Sequence, residues 1–301
     1  MIQNRVFPGI GLLVFMPVLV LAQGYQQDIG TGRVDWTSQI VRSTGIGAPN
    51  VNQPLPQQRA GALRAARLDA LRNLLETVKG INLNSETLVE NAIVKNDQIM
   101  TRVDGAVHGF RVVDTRYMSS GDVEVDVEVP LTGLLSDALL PQSFGGGVLM
   151  AAGQQFCPTC GQPWPAGRPI PSGVTLTGGE ADFETTSGEA VSGLIVDARG
   201  LGLRPAMAPR ILDGQGNEVY GSKFVSRDYA VDIGMVGYEK DVNRAAKNER
   251  VASTPMVVKG VEASGPNKTD VVVGAADVAK IQNTAVNANF LQHCKVMFVL
   301  D

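Results

Sequence analysis

Residues 122–129 constrain the fold more than any other stretch of this 301-residue chain. Valine stands at every second position of this stretch, and aspartate or glutamate stands at the positions between. Because successive side chains of a β-strand point to opposite faces, the alternation predicts a strand with one apolar and one charged face. The apolar face needs a covering layer, which predicts a sheet packed against helices or a second sheet.

The strongest helical pattern lies at residues 57–79, and Gly80 follows it as a stop signal. Leu71, Leu74 and Val78 recur on one side of this helix, which predicts that they face the sheet. A second helix is predicted to begin near residues 84–85 and to end near residue 94. The other elements predicted for the N-terminal half are strands at residues 33–40, 99–107 and 110–118.

The C-terminal half alternates between short apolar runs and helical patterns, which predicts a small mixed α/β domain. Strands are predicted at residues 191–198, 211–212, 224–233, 257–261, 270–273 and 295–300, and helices at 239–250 and 276–291. The chain as a whole is predicted to be α+β. Its predicted parts are a signal peptide (1–22), an α+β domain (23–140), a Gly/Pro-rich linker (141–189) and the mixed α/β domain (190–301).

The N-terminal segment has the features of a secretory signal peptide. Arg5 precedes an apolar stretch over residues 9–22 that Pro17 interrupts, and this stretch is shorter than the roughly 20 residues that span a bilayer. Cleavage is expected near Ala22. No cysteine follows the apolar stretch, so lipid attachment is not expected, and no membrane-spanning segment is expected in the mature chain.

The three cysteines raise the question of a disulfide or a metal site. Cys157 and Cys160 form a Cys-x-x-Cys pair, and export to an oxidising compartment favours a disulfide between them. Zinc bound by Cys157, Cys160, His293 and Cys294 is the alternative, since zinc takes four such ligands. With the disulfide formed, Cys294 is expected to be a buried free thiol.

Other candidate residues give no catalytic pattern. His108 lacks a nucleophile context, and the glycines at 200 and 202 lack the third glycine of a dinucleotide turn. The four acids at 122, 124, 126 and 128 form a straight row, which predicts a solvated strand face that discourages edge pairing and not a calcium loop. Arginines at 102, 111 and 116 are expected opposite that row. A net charge of −4 argues against nucleic-acid binding.

Three stretches together carry a family resemblance: the alanine-rich residues 59–72, the residues 105–117, and the acidic-valine stretch that ends at Pro130. They resemble the N-terminal domain of flagellar assembly protein T and related small envelope lipoproteins of Gram-negative bacteria, over about residues 30–132. The resemblance implies a periplasmic, outer-membrane-associated or surface-exposed accessory protein. It also implies a non-enzymatic role in ring-like or other envelope assemblies.

The sequence therefore predicts an exported, non-enzymatic assembly or scaffold protein with no cofactor. Its partners are expected to be envelope proteins, including other copies of the chain. Phe156 and Trp164 are the expected aromatic anchors of the interface, since such residues dominate interface energies. A metal- or small-molecule-binding module that uses Cys157 and Cys160 is the alternative.

Overall fold

The computed structural model describes residues 24–141 and 191–301, together with the single residues 144 and 174. Both halves combine helices with strands, so the predicted α+β class is confirmed. The N-terminal strands are β1 (Gln26–Ile29), β2 (Gly32–Asp35), β3 (Ile40–Gly47), β4 (Arg111–Tyr117) and β5 (Val123–Pro130). They form an antiparallel five-stranded sheet in the order β1-β2-β3-β5-β4. The helices of this half are α1 (Leu55–Lys79), α2 (Val89–Lys95), α3 (Asp97–His108) and α4 (Leu134–Leu139).

Helix α1 covers one face of the N-terminal sheet. The valines of β5 are buried beneath it, and the acids of β5 lie on the opposite face, as the alternation predicts. In β3, Gly45 and Gly47 lie directly under α1, where a Cβ atom would collide with the helix backbone. Glycine at these positions lets the helix and the sheet approach closely.

The buried line of α1 is formed mainly by small residues: Ala62, Ala66, Ala70, Leu74, Thr77 and Val78. Leu74 and Val78 are buried as predicted, whereas Leu71 is only half-buried against the core. Leu71 therefore packs against the core as predicted, but it lies beside the line of closest contact. The short distance between helix and sheet favours alanine over leucine on that line.

Two N-terminal predictions are wrong in type. Residues 99–107 form part of helix α3, because the Asn96 side chain accepts hydrogen bonds from the backbone N–H of Gln98 and Ile99 and caps the helix. Residues 33–40 form a hairpin and not one strand. The chain reverses between β2 and β3, and Gln39 has a φ of 56° in this turn.

The C-terminal half contains strands β6 (Gly193–Asp197), β7 (Ile211–Leu212), β8 (Glu218–Tyr220), β9 (Gly237–Glu239), β10 (Pro255–Ser264), β11 (Asp270–Val273) and β12 (Val296–Val299). They form a mixed seven-stranded sheet in the order β8-β7-β11-β10-β6-β12-β9. Its helices are α5 (Arg227–Ile233), α6 (Val242–Ala246) and α7 (Ala275–Ala288). The mixed α/β prediction holds, but 224–233 was predicted as a strand and contains α5, and only 242–246 of the predicted helix 239–250 is helical.

One hydrophobic core runs through both halves. Tyr238 lies at the seam between them, with its ring edge-on to Trp36 at 5.4 Å between centroids. Its hydroxyl donates to the Ala206 carbonyl (2.8 Å), and its own carbonyl accepts a hydrogen bond from the Thr37 hydroxyl (2.8 Å). The segment after α1 also contacts the C-terminal half, because the Asn82 carbonyl accepts a hydrogen bond from the Met207 N–H (3.0 Å). The halves are therefore packed as one body.

Most of the predicted linker, 141–189, lies outside the described residues, and the predicted domain boundaries stay predictions. The predicted signal peptide also lies outside them. No helix in the described parts of the chain combines the length and apolarity needed to cross a bilayer.

Candidate functional site

The face of the N-terminal sheet opposite α1 is not covered by any described element, and a shallow trough of about 360 Å³ crosses it. Residues of all five strands line this trough: Gln26 of β1, Arg33 and Asp35 of β2, Arg42 and Thr44 of β3, Asp126 of β5, and Val113 and Arg116 of β4. We call this surface the open sheet face. It combines paired charges with exposed apolar side chains, since Val113 is 50% and Ile46 is 57% exposed.

Glu128 is the most buried charge of the open sheet face. Its side chain is 6% exposed, and Arg111 and Arg42 of the two neighbouring strands donate hydrogen bonds to it, the latter at 3.0 Å between Nε and Oε2. Hydrogen bonding from Arg111, more than from Arg42, holds the pKa of Glu128 below its ordinary value. The carboxylate is therefore ionised and fixed at neutral pH.

Arg116 joins the remaining acids of this face. Its guanidinium donates to Asp126 (2.5 Å), Glu124 (3.1 Å) and Asp114 (3.0 Å), which raises the pKa of Arg116. The hydrogen bond from Arg116 lowers the pKa of Asp126. Arg111 and Arg116 thus lie opposite the acidic row as predicted. Arg102 does not, because it lies in α3.

Arg42 was not predicted as a partner of Glu128. The usable signal was the alternation of small residues at 43, 45 and 47 with larger residues at 42, 44 and 46, which is typical of a strand. The predicted role of the acidic row is also corrected. Strand β5 lies between β3 and β4, so its acids do not guard an edge of the sheet.

The edge of the sheet is instead guarded on β4. The pairing of β4 with β5 is interrupted by an irregularity between Val112 and Asp114. The Asp114 carboxylate then accepts the backbone N–H of Thr115 at 2.8 Å, so this donor is not free to pair with another strand. Irregular pairing and charged side chains are ordinary ways to prevent strand addition at an edge. Addition of a further strand along β4 is therefore disfavoured.

A second concave region, a cleft of about 810 Å³, lies between the two halves. The β2–β3 turn and Pro130 line one side, and α5, Arg250 and His293 line the other. The His293 ring stacks on Tyr229 with 4.5 Å between centroids. Arg250 donates to the carbonyls of Gly234 (2.9 Å), Cys294 (2.9 Å) and Ile233, which anchors the guanidinium at the C-terminal end of α5.

Cys294 lies under this cleft as a buried free thiol, as predicted. Burial raises the pKa of its thiol to about 12, so the thiolate is not formed at neutral pH. Its predicted partners Cys157 and Cys160 lie outside the described residues, so the zinc site and the disulfide stay predictions. Within residues 24–141 and 191–301, no three acid, histidine or cysteine side chains converge as a metal site would require.

The remaining candidate residues do not come together. His108 lies at the exposed C-terminal end of α3, where its Nδ1 is 2.8 Å from the Asp104 carbonyl oxygen. It was expected in a turn between strands, and the change follows from the helical assignment of residues 99–107. The glycines at 200 and 202 follow β6 in a turn that no helix continues. Phe156 and Trp164 lie outside the described residues.

Two family models match separate parts of the chain. Residues 42–130 match the LPP20 lipoprotein family, and residues 193–301 match the second domain of Treponema pallidum Tp0624. Each match covers less than half of the chain. The first begins in β3 and ends with β5, and the second covers the C-terminal sheet. No curated protein matches the chain. The lipoprotein part of the predicted resemblance is thus supported, and the likeness to the flagellar protein stays a prediction.

Proposed function

We propose that this chain is an exported, non-enzymatic component of the bacterial cell envelope that assembles with protein partners through its open sheet face. The similarity of residues 42–130 to a lipoprotein family supports the envelope location. The observation that carries the proposal is the open sheet face itself, where exposed apolar side chains adjoin arginines that are held in fixed positions. Charged groups that are already oriented add specificity to a contact at little further entropic cost.

The seam between the halves supports the same role. A scaffold has to hold its contact surfaces in a constant geometry, and the shared core around Tyr238 does this for the two sheets. A flagellar or other ring-like assembly is the finer form of the proposal, and it rests on the resemblance to flagellar assembly protein T. Copies of one chain form such rings when the contact is heterologous and its rotation closes.

The test is a pair of apolar-to-charged substitutions that spare the core. Val113→Glu and Ile46→Glu each place a carboxylate on the open sheet face at an exposed position. Val257→Glu is the matched control, since Val257 is 51% exposed in strand β10 of the other sheet. We expect the first two variants to fold, and their affinity for envelope partners or for other copies of the chain to fall by about thirtyfold or more, the scale of an interface hot spot.

Cross-linking in cells followed by affinity purification, together with size measurement of the purified chain, reads out both kinds of contact. The control should behave as the wild type does. Equal association by all four proteins would show that the open sheet face is not the contact surface.

A second candidate function is the binding of a small molecule in the cleft between the halves. Its 810 Å³ volume is of the size that ligand sites have, and Tyr229, His293 and Lys295 line it. Native mass spectrometry of protein isolated from envelope extracts would detect a retained ligand. The predicted site at Cys157 and Cys160 is tested separately by zinc content and by the free-thiol count.

A further inference from the structure

Helix α1 carries a basic face that the proposed function does not use. Arg64, Leu68 and Arg72 are spaced four residues apart, and Lys79 follows two helical turns later, so they share the outward side of the helix. All four are exposed. The row extends over about 22 Å at the rise of an α-helix. Arg59 and Arg67 are exposed on the same helix and add to its charge.

These cations differ from those of the open sheet face in their partners. Among the described residues, the four arginines of α1 form no ion pair, and neither does Lys79. The helix contains only two acids, Asp69 and Glu76. Asp69 accepts the Ile46 N–H at 3.0 Å at the edge of β3. Five cations against two acids give α1 a charge of +3, although the whole chain carries −4.

An exposed leucine accompanies the cations. Leu68 is 66% exposed between Arg64 and Arg72. A basic helix with an apolar side chain on its outward side suits an anionic bilayer surface, where the cations meet phosphates and the leucine enters the headgroup region. An acidic protein would satisfy the arginines but gives no particular role to a leucine placed between them.

We propose that the outward face of α1 binds the anionic phospholipid surface of a membrane. The inference goes beyond the proposed function and stands without it. The geometry links the two, because α1 covers one face of the N-terminal sheet and the trough opens on the other. A chain bound to a bilayer through α1 therefore presents its open sheet face away from the lipid, toward partners.

The experiment is vesicle co-sedimentation of the purified full chain. The vesicles contain phosphatidylethanolamine mixed with phosphatidylglycerol in one arm and phosphatidylcholine alone in the other. Arg64→Gln/Arg72→Gln removes two charges from the face and keeps good helix formers. Lys247→Gln/Lys280→Gln is the control, since both lysines are exposed in the other half. Circular dichroism confirms that every variant is folded.

We expect wild-type binding to anionic vesicles only, weakened by added salt. Each lost cation should weaken it about fivefold, so the arginine variant should bind about 25-fold more weakly. The lysine control should bind as the wild type does, and Leu68→Ser should bind more weakly at unchanged charge. The proposal is overturned if the wild type does not bind anionic vesicles, or if the lysine control loses as much binding as the arginine variant. Loss of a protein partner by the arginine variant at unchanged vesicle binding would assign α1 to a protein contact instead.

Discussion

Replacing Gly45 with alanine tests how closely α1 approaches the sheet. A Cβ at this position would lie 2.6 Å from the Cα of Ala70 and nearer still to the Ala66 carbonyl oxygen. These are backbone atoms of a helix, so no side-chain rotation relieves the collision. The helix has to move away from β3 along part of its length.

The cost has two parts. Overpacking of a well-packed contact costs about 1–3 kcal/mol. Movement of α1 also stretches the hydrogen bond from the Ser43 hydroxyl to the Ala70 carbonyl (2.9 Å) and the bond from the Ile46 N–H to Asp69 (3.0 Å). Each such bond contributes about 1 kcal/mol, so Gly45→Ala should lower the free energy of unfolding by about 4 kcal/mol in total.

Urea unfolding followed by circular dichroism measures the change. Gly105→Ala is the matched control, because Gly105 lies in α3 with no atom within 4 Å of its would-be Cβ. Alanine there should stabilise the chain by about 0.5–1 kcal/mol. If the free energy of unfolding of Gly45→Ala lies within about 1 kcal/mol of the wild-type value, which is the size of an ordinary glycine-to-alanine effect, the close contact between α1 and β3 is refuted.

Three further predictions concern single groups. Glu128→Gln should lower the free energy of unfolding by about 2 kcal/mol at pH 7, because hydrogen bonds from Arg111 and Arg42 to a charged acceptor are lost. Since folding lowers the pKa of Glu128, its contribution is present above the unfolded pKa and disappears as pH falls through the folded one, so the deficit measured by urea unfolding should shrink below about pH 4. Asn96→Ala should cost about 1 kcal/mol in the same assay through loss of the α3 cap, and an unchanged midpoint would argue against that cap. Cys294 should resist iodoacetamide at pH 8 in the native chain and react after unfolding, as peptide mass mapping can establish, and alkylation of the native chain would show that the thiol is accessible.

Strong periodicity explains which elements could be predicted. The valine alternation of β5 and the long helical pattern of α1 are each carried by local sequence, and both elements were found close to their true bounds. Helix α3 was missed because Ile99, Val103 and Val107 favour strands by type. The capping residue Asn96 was the better signal, since a side chain that satisfies the first N–H groups decides where a helix begins.

The hairpin of β2 and β3 could not be predicted from local sequence. Gln39 has a positive φ that non-glycine residues rarely adopt, and long-range contacts hold it there. Its side chain donates to the Val236 carbonyl at 3.0 Å, across 197 positions of the chain. The open sheet face has the same origin, because Arg42 meets Glu128 only when β3 pairs with β5. The acidic row was visible in the sequence, but the strand order that supplies its partners was not.

The seam around Tyr238 also decides how the molecule transmits force. A pull on the N-terminal sheet passes through the β2–β3 turn into β9 and, by the Tyr238 hydroxyl, onward to Ala206. A second connection runs from Asn82 to Met207, so the two sheets are joined on both sides of α1 in the sequence. A body held at two such connections resists twisting as well as bending. Tension applied to one half would therefore reach the other half with little rotation between them. Two domains joined by a hinge would instead rotate under the same tension.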